Sequence, residues 1–358
     1  MRSSKLEEKV VVGMSGGVDS TIAALSLLRQ GYSVTGVTFR FFGAVNSVLN
    51  DKDREAVTRA AHICRRFDIP HIAVEVGGDF KDRVVRRFVD FYRSGRTPNP
   101  CIGCNEYIKF PYLAEAADSV GAKWISTGHY ARVINYKNRK FLSAARDNLK
   151  DQSYFLYRVP VKYLQRTIFP LGDKLKSEVR ETAREYGLTG STGRESQDVC
   201  FIPEKEFNTF LEKEADPTPG DVVDSEGQTL GRHRGICFYT VGQRKGLGIS
   251  ASQPLYVKNI DPRTGRITLA ENEAIYTKKA VCESVILRAR ELELPLKAKI
   301  RFRHRAAVLE DVKLLNRKLI VSFHKEQRAV TPGQSLVIYK DGVVLGGGVL
   351  TDSRGAGN

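Results

Sequence analysis

The fold of this chain is decided by the stretch Val10-Val11-Val12-Gly13-Met14-Ser15-Gly16-Gly17-Val18-Asp19-Ser20. The three valines predict a buried strand, and Ile22, Leu25 and Leu28 follow the glycines at helical spacing. Gly31 stands where a helix commonly ends. A strand, a tight glycine turn and a helix in this order direct free backbone amides and the positive helix end towards an anion. The stretch therefore predicts a phosphate-binding turn.

The glycine turn fits neither of the common nucleotide-binding patterns. No lysine follows the glycines, and the chain contains neither G-x-x-x-x-G-K-[ST] nor G-x-G-x-x-G. The string Ser15-Gly16-Gly17-Val18-Asp19-Ser20 resembles instead the pyrophosphate loop, or PP-loop, of the ATP pyrophosphatases. In that superfamily the loop holds ATP while a substrate oxygen is adenylated and pyrophosphate is released.

This resemblance implies ATP and Mg²⁺ as ligands. Phosphate would be bound through the amides and hydroxyls of the loop, and Asp19 would either position magnesium or cap the helix. Ligands of parallel sheets collect at the carboxyl ends of strands, where Gly13, Phe39 and Gly128 are expected. The candidate ATP-binding residues are Gly13, Met14, Ser15, Gly16, Gly17, Val18, Asp19, Ser20, Phe39 and Gly128.

The composition indicates a globular protein with a polyanionic partner. Hydrophobic residues make up 41% and charged residues 27% of the chain, and no signal peptide or long apolar segment is evident. We therefore expect a cytoplasmic protein without a membrane partner. The 57 Lys and Arg exceed the 41 Asp and Glu by 16 charges, which favours nucleic acid as the partner, although a generally basic surface would give the same surplus.

The order of the patterns predicts an α/β protein of three parts. Alternating strands and helices, beginning with the strand Ser33–Phe39 and a helix at about Asp53–Phe67, indicate a parallel sheet covered by helices. We assign residues 1–202 to a PP-loop (adenine nucleotide alpha hydrolase-like) domain and 203–270 to a small central domain. Short alternating strands with turn signals then predict an antiparallel β-barrel over residues 271–358.

The six cysteines divide into two groups. In a cytoplasmic chain they are expected to be reduced rather than paired as disulfides. Cys101, Cys104 and Cys200 lie in stretches that we interpret as loops. Around Cys101 and Cys104 the reason is that Pro98 and Pro100 argue against a helix. The other three are interpreted as small core residues, on a helix or on strands: Cys64, Cys237 and Cys282.

Beyond the loop, a series of motifs resembles the tRNA-specific 2-thiouridylases over nearly the whole chain. The motifs are Gly13–Ser20, Arg96–Pro100 followed by Cys104-Asn105, Thr127–Tyr130, Lys150–Leu156, Cys200–Ile202, Gly242–Gly248 and Thr331–Ser335. The family uses ATP to replace the C2 oxygen of the wobble uridine with sulfur in tRNAs for lysine, glutamate and glutamine. The resemblance therefore implies tRNA as the substrate and a sulfur donor, either a persulfide carrier protein or free sulfide, and it implies no DNA partner.

The resemblance also implies roles for individual residues. Cys200 would receive a persulfide, and Cys104 would release its sulfur by closing a disulfide. Asn99, Pro100 and Cys101 would line the base pocket. His129 is either an acid beside the adenylate or only a hydrogen-bonding group. The candidate tRNA-binding residues are Asn99, Pro100, His129, Lys150, Asp151, Gln152, Arg303, His304 and Gln334.

Cys101 departs from the family pattern, in which an aspartate usually occupies this position. Cys101, Cys104 and Cys200 could hold three irons of a four-iron four-sulfur cluster whose open iron carries sulfide. The persulfide relay and the cluster remain two open alternatives. Rival functions are another adenylating tRNA-modifying enzyme of the PP-loop type, or a non-enzymatic tRNA-binding iron-sulfur protein.

A basic stretch in the C-terminal part completes the sequence picture. Basic residues recur at every second position and predict one charged face of a strand: Lys297, Lys299, Arg301, Arg303 and Arg305. This charged face would either contact the phosphates of tRNA or simply be exposed to solvent.

Overall fold

The structure is a computed structural model that describes residues 8–41, 47–188, 199–202 and 206–352. None of the helices in these ranges is long and apolar enough to cross a membrane. The chain forms two units. The first comprises residues 1–84, 101–197 and 342–344, and the second comprises residues 85–100, 198–341 and 345–358.

Five parallel strands form the main sheet of the first unit. The strands of this unit are β1 (Lys9–Gly13), β2 (Ser33–Arg40), β3 (His71–Glu75), β4 (Trp124–Thr127), β5 (Arg132–Tyr136), β6 (Arg139–Ser143) and β7 (Thr167–Ile168). The sheet order is β3-β2-β1-β4-β7, and β5 and β6 pair as an antiparallel hairpin. Val10, Val11 and Val12 of β1 are fully buried, which a central strand covered on both faces requires. The predicted parallel sheet is confirmed.

Helices follow the strands as the alternating pattern predicts. They are α1 (Val18–Arg29), α2 (Ser47–Arg66), α3 (Gly77–Phe80), α4 (Arg86–Arg93), α5 (Pro100–Cys104), α6 (Phe110–Ser119), α7 (Ser153–Leu156), α8 (Val161–Leu164), α9 (Lys176–Glu185) and α10 (Phe207–Ala215). In the first unit, α1 packs against α9, and Ile22 and Leu25 of α1 share a buried cluster with Val179 and Ala183 of α9. The predicted end of α1 is also correct, because Gly31 has φ of 85° just after the helix.

The second unit contains a small mixed sheet and a closed barrel. Its strands are β8 (Gly220–Val223), β9 (Thr229–His233), β10 (Tyr256–Asp261), β11 (Arg266–Ala270), β12 (Tyr276–Leu287), β13 (Leu296–Lys299), β14 (Ala307–Leu315), β15 (Lys318–Arg328), β16 (Ser335–Lys340) and β17 (Val343–Leu350). The small sheet has the order β10-β11-β8-β9. The barrel runs β12-β15-β14-β13-β16-β17 and closes where Cys282 of β12 pairs with Leu350 of β17. Closure leaves no open sheet edge, and the predicted antiparallel barrel is confirmed.

The expectation of a loop around Cys101 and Cys104 is wrong. Pro100 begins α5, and both cysteines lie in this helix, which continues as a π-helical turn over Asn105–Lys109 and then as α6. Proline is tolerated in the first turn of a helix, because its missing N–H would have no intrahelical partner there. The two prolines therefore mark the start of the helix rather than its absence.

Two further local expectations are wrong. The strand predicted through Lys297 ends at Lys299, and the residues from Arg301 to His304 form a turn in which the Nη2 atom of Arg301 donates to the carbonyls of Arg328 and Ala329. The basic residues therefore do not share one strand face. Cys237 is buried as expected, but it lies in a short 3₁₀ helix and not in a strand.

Candidate active site

Hydrogen bonds within the loop and from β2 fix the conformation of the turn between β1 and α1. Ser20 accepts from the amide of Ser15 through its hydroxyl and donates to the carbonyl of Gly17, at 3.2 and 3.0 Å. The hydroxyl of Thr38 in β2 donates to the carbonyl of Met14 at 2.8 Å. These contacts fix the loop while Gly17 precedes the first turn of α1. The arrangement presents helix-terminal amides to an anion, as the sequence predicts.

Two glycines of the site are required by their surroundings. Gly16 has φ of 72°, and a Cβ atom there would lie 2.9 Å from the Cβ atom of Arg59 in α2. A Cβ atom on Gly128 would lie 2.8 Å from the backbone nitrogen of Ser20. The chain leaving β4 therefore touches the first turn of α1 directly, and any larger residue would separate them.

The sheet register brings the predicted ATP-binding residues to one edge. Gly13 pairs with Val37 of β2 and with Thr127 of β4. Phe39 and Gly128 follow those partners by two residues and one residue respectively, at the carboxyl ends of the same strands. All belong to the first unit, so the residues that the sequence singles out for ATP lie along a single edge.

Asp19 has a partner that the sequence analysis missed. Its carboxylate accepts hydrogen bonds from Nζ of Lys176, at 2.7 Å to each oxygen, and from the hydroxyl of Tyr130 at 2.9 Å. Lys176 is the first residue of α9 and lies 157 positions away in sequence. Asp19 makes no side-chain cap at the start of α1, so the capping role is not the one observed. No local pattern could have linked these residues; only a lysine at the start of a predicted helix was visible.

Cys101 and Cys104 lie on one turn of α5 but differ in exposure. Cys104 is 6% exposed and Cys101 is exposed. Desolvation by the surrounding protein raises the pKa of both thiols, for Cys104 to about 11, and the positive charge of Lys109 opposes that rise. Cys104 is therefore a protonated thiol at neutral pH.

Contacts beside Cys104 tie α5 to the predicted tRNA-binding stretch. The side-chain amide of Asn105 donates to the carbonyl of Phe155 at 3.1 Å, and its Oδ1 atom is buried without a hydrogen-bond partner in the described ranges. Glu106 forms a largely buried ion pair with Arg158 at 2.6 Å. Two tertiary contacts therefore hold the Cys104 helix against the residues that follow Gln152.

Cys200 belongs to the second unit and lies at a turn anchored by aromatic packing. It is exposed, whereas its neighbour Phe201 is buried with its ring 5.2 Å from that of Phe88 in α4. The amide of Ile202 donates to the carbonyl of Val199 at 3.0 Å and closes the turn. The buried neighbour fixes the backbone while the thiol reaches solvent, which suits a residue that receives sulfur from outside.

His129 is held as a neutral imidazole. Its Nδ1 atom lies 2.8 Å from the hydroxyl of Thr127, and its ring stacks on Phe110 with centroids 6.4 Å apart. Burial lowers the pKa of His129 to about 3, and the positive charge of Lys109 adds to this. A neutral ring at neutral pH has no imidazolium proton to donate, so the geometry favours a hydrogen-bonding role over an acid.

The stretch Lys150–Gln152 is anchored from inside the first unit. Asp151 is buried, and its carboxylate accepts from the amides of Ala145 and Ser153, both at 3.1 Å. Gln152 exchanges hydrogen bonds with the backbone of Tyr130, at 2.9 and 2.8 Å. The carboxylate of Asp151 supports the loop, and Lys150 and Gln152 retain partial exposure.

In the second unit, Gln334 lies against the segment that contains Asn99 and Pro100. Its Nε2 atom donates to the carbonyls of Thr97 at 2.9 Å and Pro98 at 3.3 Å. The structure thus brings Gln334 beside Asn99 and Pro100, although more than 230 positions separate them. The turn after β13 carries Arg303, which is exposed, and His304, whose pKa is lowered by burial and by Arg301.

The described residues contain no cluster of three or more His, Cys, Asp or Glu side chains that could hold a metal ion. Cys101 and Cys104 belong to the first unit and Cys200 to the second.

Three family models match the chain in succession. They are described as the tRNA methyl transferase HUP domain (residues 8–204), the tRNA methyl transferase PRC-barrel domain (208–271) and the aminomethyltransferase beta-barrel domain (278–350). Together they span both the parallel sheet with its glycine turn and the closed barrel.

Curated relatives match almost the full length of the chain. A tRNA-specific 2-thiouridylase of Clostridium perfringens is 40% identical over 96% of this chain and 98% of the relative. One from Caldanaerobacter subterraneus is 40% identical over 97% and 98%, and one from Syntrophus aciditrophicus is 40% identical over 97% and 94%. Among solved structures, a 4-thiouridine synthetase bound to RNA and ATP is 20% identical over 58% of this chain and 50% of that chain, with a TM-score of 0.36.

We expect Gly16→Ala to destabilise the protein more than Gly31→Ala. Both residues have positive φ, which costs an alanine about 1–2 kcal/mol, but only at Gly16 would the added methyl meet α2. Thermal or urea unfolding measures the difference, and ATP binding should weaken only in Gly16→Ala. Equal unfolding free energies for the two variants would show that the approach of α2 does not constrain the loop.

We expect His129 to make stability depend on pH in the acid range. Its pKa in the folded protein lies below the ordinary 6.5, so unfolding takes up a proton, and stability is complete above pH 6.5 and falls as the pH drops below it. In His129→Asn this part of the pH dependence should flatten, as measured by melting temperature over a pH series. The exposed His324→Asn is the control and should keep the wild-type slope; a wild-type slope in His129→Asn would contradict the assignment.

Proposed function

This chain belongs to the tRNA-specific 2-thiouridylase family, and from that membership we propose that its substrate is the wobble uridine of tRNAs for lysine, glutamate and glutamine. It is an ATP-dependent tRNA sulfurtransferase of the PP-loop type, which places sulfur at C2 of a uridine. The observation that carries the proposal is the glycine turn at the carboxyl edge of the parallel sheet, combined with thiols at the two family positions.

The chemistry explains why one chain needs both a phosphate turn and thiols. A uracil C2 carbonyl is a poor electrophile, and its oxygen is a poor leaving group. Attack of that oxygen on the α-phosphate of ATP breaks the bond to pyrophosphate and yields an adenylate that departs as AMP. The amides at Gly16 and Gly17 are suited to holding the phosphates, and we propose that Mg²⁺ accompanies the ATP.

For the sulfur step we propose a persulfide relay. Cys200, which is exposed, receives the persulfide, and its terminal sulfur attacks C2 as AMP leaves with the former oxygen. The base is then joined to Cys200 through the transferred sulfur. Cys104 loses its proton and attacks the Sγ atom of Cys200, which forms a disulfide between the two cysteines. The bond between Sγ and the transferred sulfur breaks, and that sulfur stays on C2 as the thiolate of the thiolated base. A thiol reductant must then reduce the disulfide. A persulfide carrier protein is the proposed donor for this relay: its terminal sulfur passes to the Cys200 thiolate and the carrier leaves as a thiol. Free sulfide is the donor for the cluster alternative, because it would need an oxidant to form a persulfide on Cys200.

The raised pKa of Cys104 sets the timing of this relay. With a pKa of about 11, only about one Cys104 in ten thousand is a thiolate at neutral pH, so it does not react on its own. Holding reacting groups in contact can contribute about 7–11 kcal/mol to catalysis, far more than tuning the thiol. The contacts of Asn105 and Glu106 that fix α5 are consistent with catalysis by positioning.

The remaining ligand assignments are proposals that local geometry supports. We propose that Asn99, Pro100 and Cys101 receive the base, because Gln334 holds the preceding residues in place. Lys150 and Gln152 are proposed to contact the anticodon arm, with Asp151 shaping their loop from inside. Arg303 and His304 are proposed to contact tRNA phosphate from the turn after β13. We further propose a cytoplasmic location and the three-domain division at residues 202 and 270.

An iron-sulfur cluster is the alternative for the sulfur step. The observation that favours it is that Cys101 lies three residues before Cys104 on the same helical turn, where family members usually have an aspartate. Three thiolates would be required, and the described residues contain no group of three or more His, Cys, Asp or Glu side chains that could hold a metal ion. We therefore propose the relay before the cluster.

Replacing Cys104 or Cys200 by serine should abolish thiolation of transcribed tRNA without abolishing ATP use. Both variants should still release pyrophosphate when ATP and tRNA are supplied, because adenylation precedes sulfur transfer. The buried Cys237→Ala is the matched control and should thiolate normally. If the serine variants retain product, a different adenylating enzyme is indicated; if the wild type releases no pyrophosphate with tRNA, a non-enzymatic RNA-binding protein is indicated.

Anaerobic purification followed by an iron count and a visible spectrum separates the relay from the cluster. For the relay we expect no stoichiometric iron, and we expect Cys101→Asp to remain active with a persulfide donor, because family members usually carry aspartate there. Stoichiometric iron with charge-transfer absorption that disappears in Cys101→Asp would overturn the relay in favour of the cluster.

A further inference from the structure

The loop lacks the lysine that many phosphate-binding turns carry, but the fold supplies one. Lys176 begins α9, and its backbone is held by two carboxylates. Asp147 accepts from the amide of Lys176 at 2.9 Å, and Glu178 accepts from the amide of Leu175 at 2.7 Å. These contacts fix the backbone at the start of the helix, from which the Lys176 side chain extends to Asp19.

The side chain of Lys176 reaches the first turn of α1. Its ammonium contacts both oxygens of Asp19 and lies 5.6 Å from the ring centre of Tyr130. Lys176 is 12% exposed, and Asp19 is 35% exposed. A lysine of such low exposure, directed at the helix end that carries the phosphate-binding amides, occupies the position of a phosphate ligand.

Charge balance shows what this pair does. A carboxylate on the second residue of α1 would repel the phosphates of ATP, which carry about four negative charges. In the structure Lys176 neutralises that carboxylate. When ATP binds with its divalent cation, the carboxylate of Asp19 can contact that cation and the ammonium of Lys176 can contact the phosphates. Both the negative charge of Asp19 and the positive charge of Lys176 then remain compensated.

We propose that Lys176 is a catalytic lysine that leaves Asp19 to bind the phosphates of ATP, while Asp19 turns to the accompanying divalent cation. This inference rests on the proposed function, because it assigns a residue to the same ATP site. As the bond between the α-phosphate and the bridging oxygen breaks, pyrophosphate gains negative charge. The ammonium of Lys176 stabilises that charge and does not transfer a proton.

Lys176→Gln is the first test, with Lys174→Gln as the matched control from the segment just before α9. Calorimetry with ATP and with adenosine, each with Mg²⁺, separates phosphate recognition from binding of the base and sugar. Loss of charge-assisted contacts should weaken ATP binding about 10- to 100-fold and leave adenosine binding unchanged. Pyrophosphate release with tRNA should slow about 100-fold. Lys174→Gln should match the wild type in every assay.

Two additional variants distinguish an electrostatic role from a structural one. Lys176→Arg keeps the charge and should recover part of the ATP affinity. Asp19→Asn combined with Lys176→Gln also removes the repelling carboxylate, so in EDTA, without a divalent cation for Asp19 to face, it should bind ATP more tightly than Lys176→Gln alone. If Lys176 only stabilised the fold, the double variant would bind no more tightly than the single one under these conditions.

A measurement on the wild type covers the case in which the variants do not fold. An acyl phosphate derivative of ATP transfers its acyl group to an amine near the phosphates, forming an amide and leaving ATP. Mass spectrometry should find the label on Lys176 and not on Lys174. A label confined to other lysines, or wild-type ATP affinity in a folded Lys176→Gln, overturns the inference. If the wild type itself binds ATP no better than adenosine and releases no pyrophosphate, the proposed function fails instead.

Discussion

The close approach of the Gly128 backbone to the first turn of α1 is the constraint from which the rest of the site follows. It arises because β4 lies beside β1 with Thr127 opposite Gly13, so that the chain leaving β4 must pass directly over the glycine turn. Tyr130 follows two residues later, and its hydroxyl donates to Asp19 of the glycine turn. Glycine turns between a strand and a helix occur in many proteins. Here the contact between Gly128 and α1 also brings Tyr130 to the turn.

Tyr130 illustrates how the first unit links its two ligand stretches. Its hydroxyl contacts Asp19 of the ATP loop, while its backbone exchanges hydrogen bonds with Gln152 of the stretch proposed for tRNA. Asp151 in turn holds Ala145 and Ser153 through its buried carboxylate. Such a short path between the two stretches suits the proposed catalysis, in which nucleotide and RNA are held by one part of the fold.

The two thiols proposed for the relay differ in exposure. Desolvation keeps Cys104 protonated, while Cys200 lies at an exposed turn whose neighbour Phe201 is packed among aromatic rings. A buried thiol is protected from oxidation and from stray electrophiles, whereas an exposed one is accessible to a donor. This division of exposure suits a reaction in which sulfur enters at one cysteine and the other acts only afterwards.

The sequence by itself determined the fold class and the place of the glycine turn between β1 and α1, because these depend on local periodicity and on glycine positions. From motifs read in order it also predicted which thiols act. It misjudged Pro100, because proline was interpreted only as a helix breaker although it is common at the start of a helix. It also misjudged Cys237 and the strand after Lys297, because a short 3₁₀ turn and the end of a strand have no strong local signal. Only the tertiary structure decided that Lys176 pairs with Asp19 and that Gln334 supports Thr97. Contacts between residues so far apart in the chain depend on packing, which places side chains together without leaving a pattern in either segment.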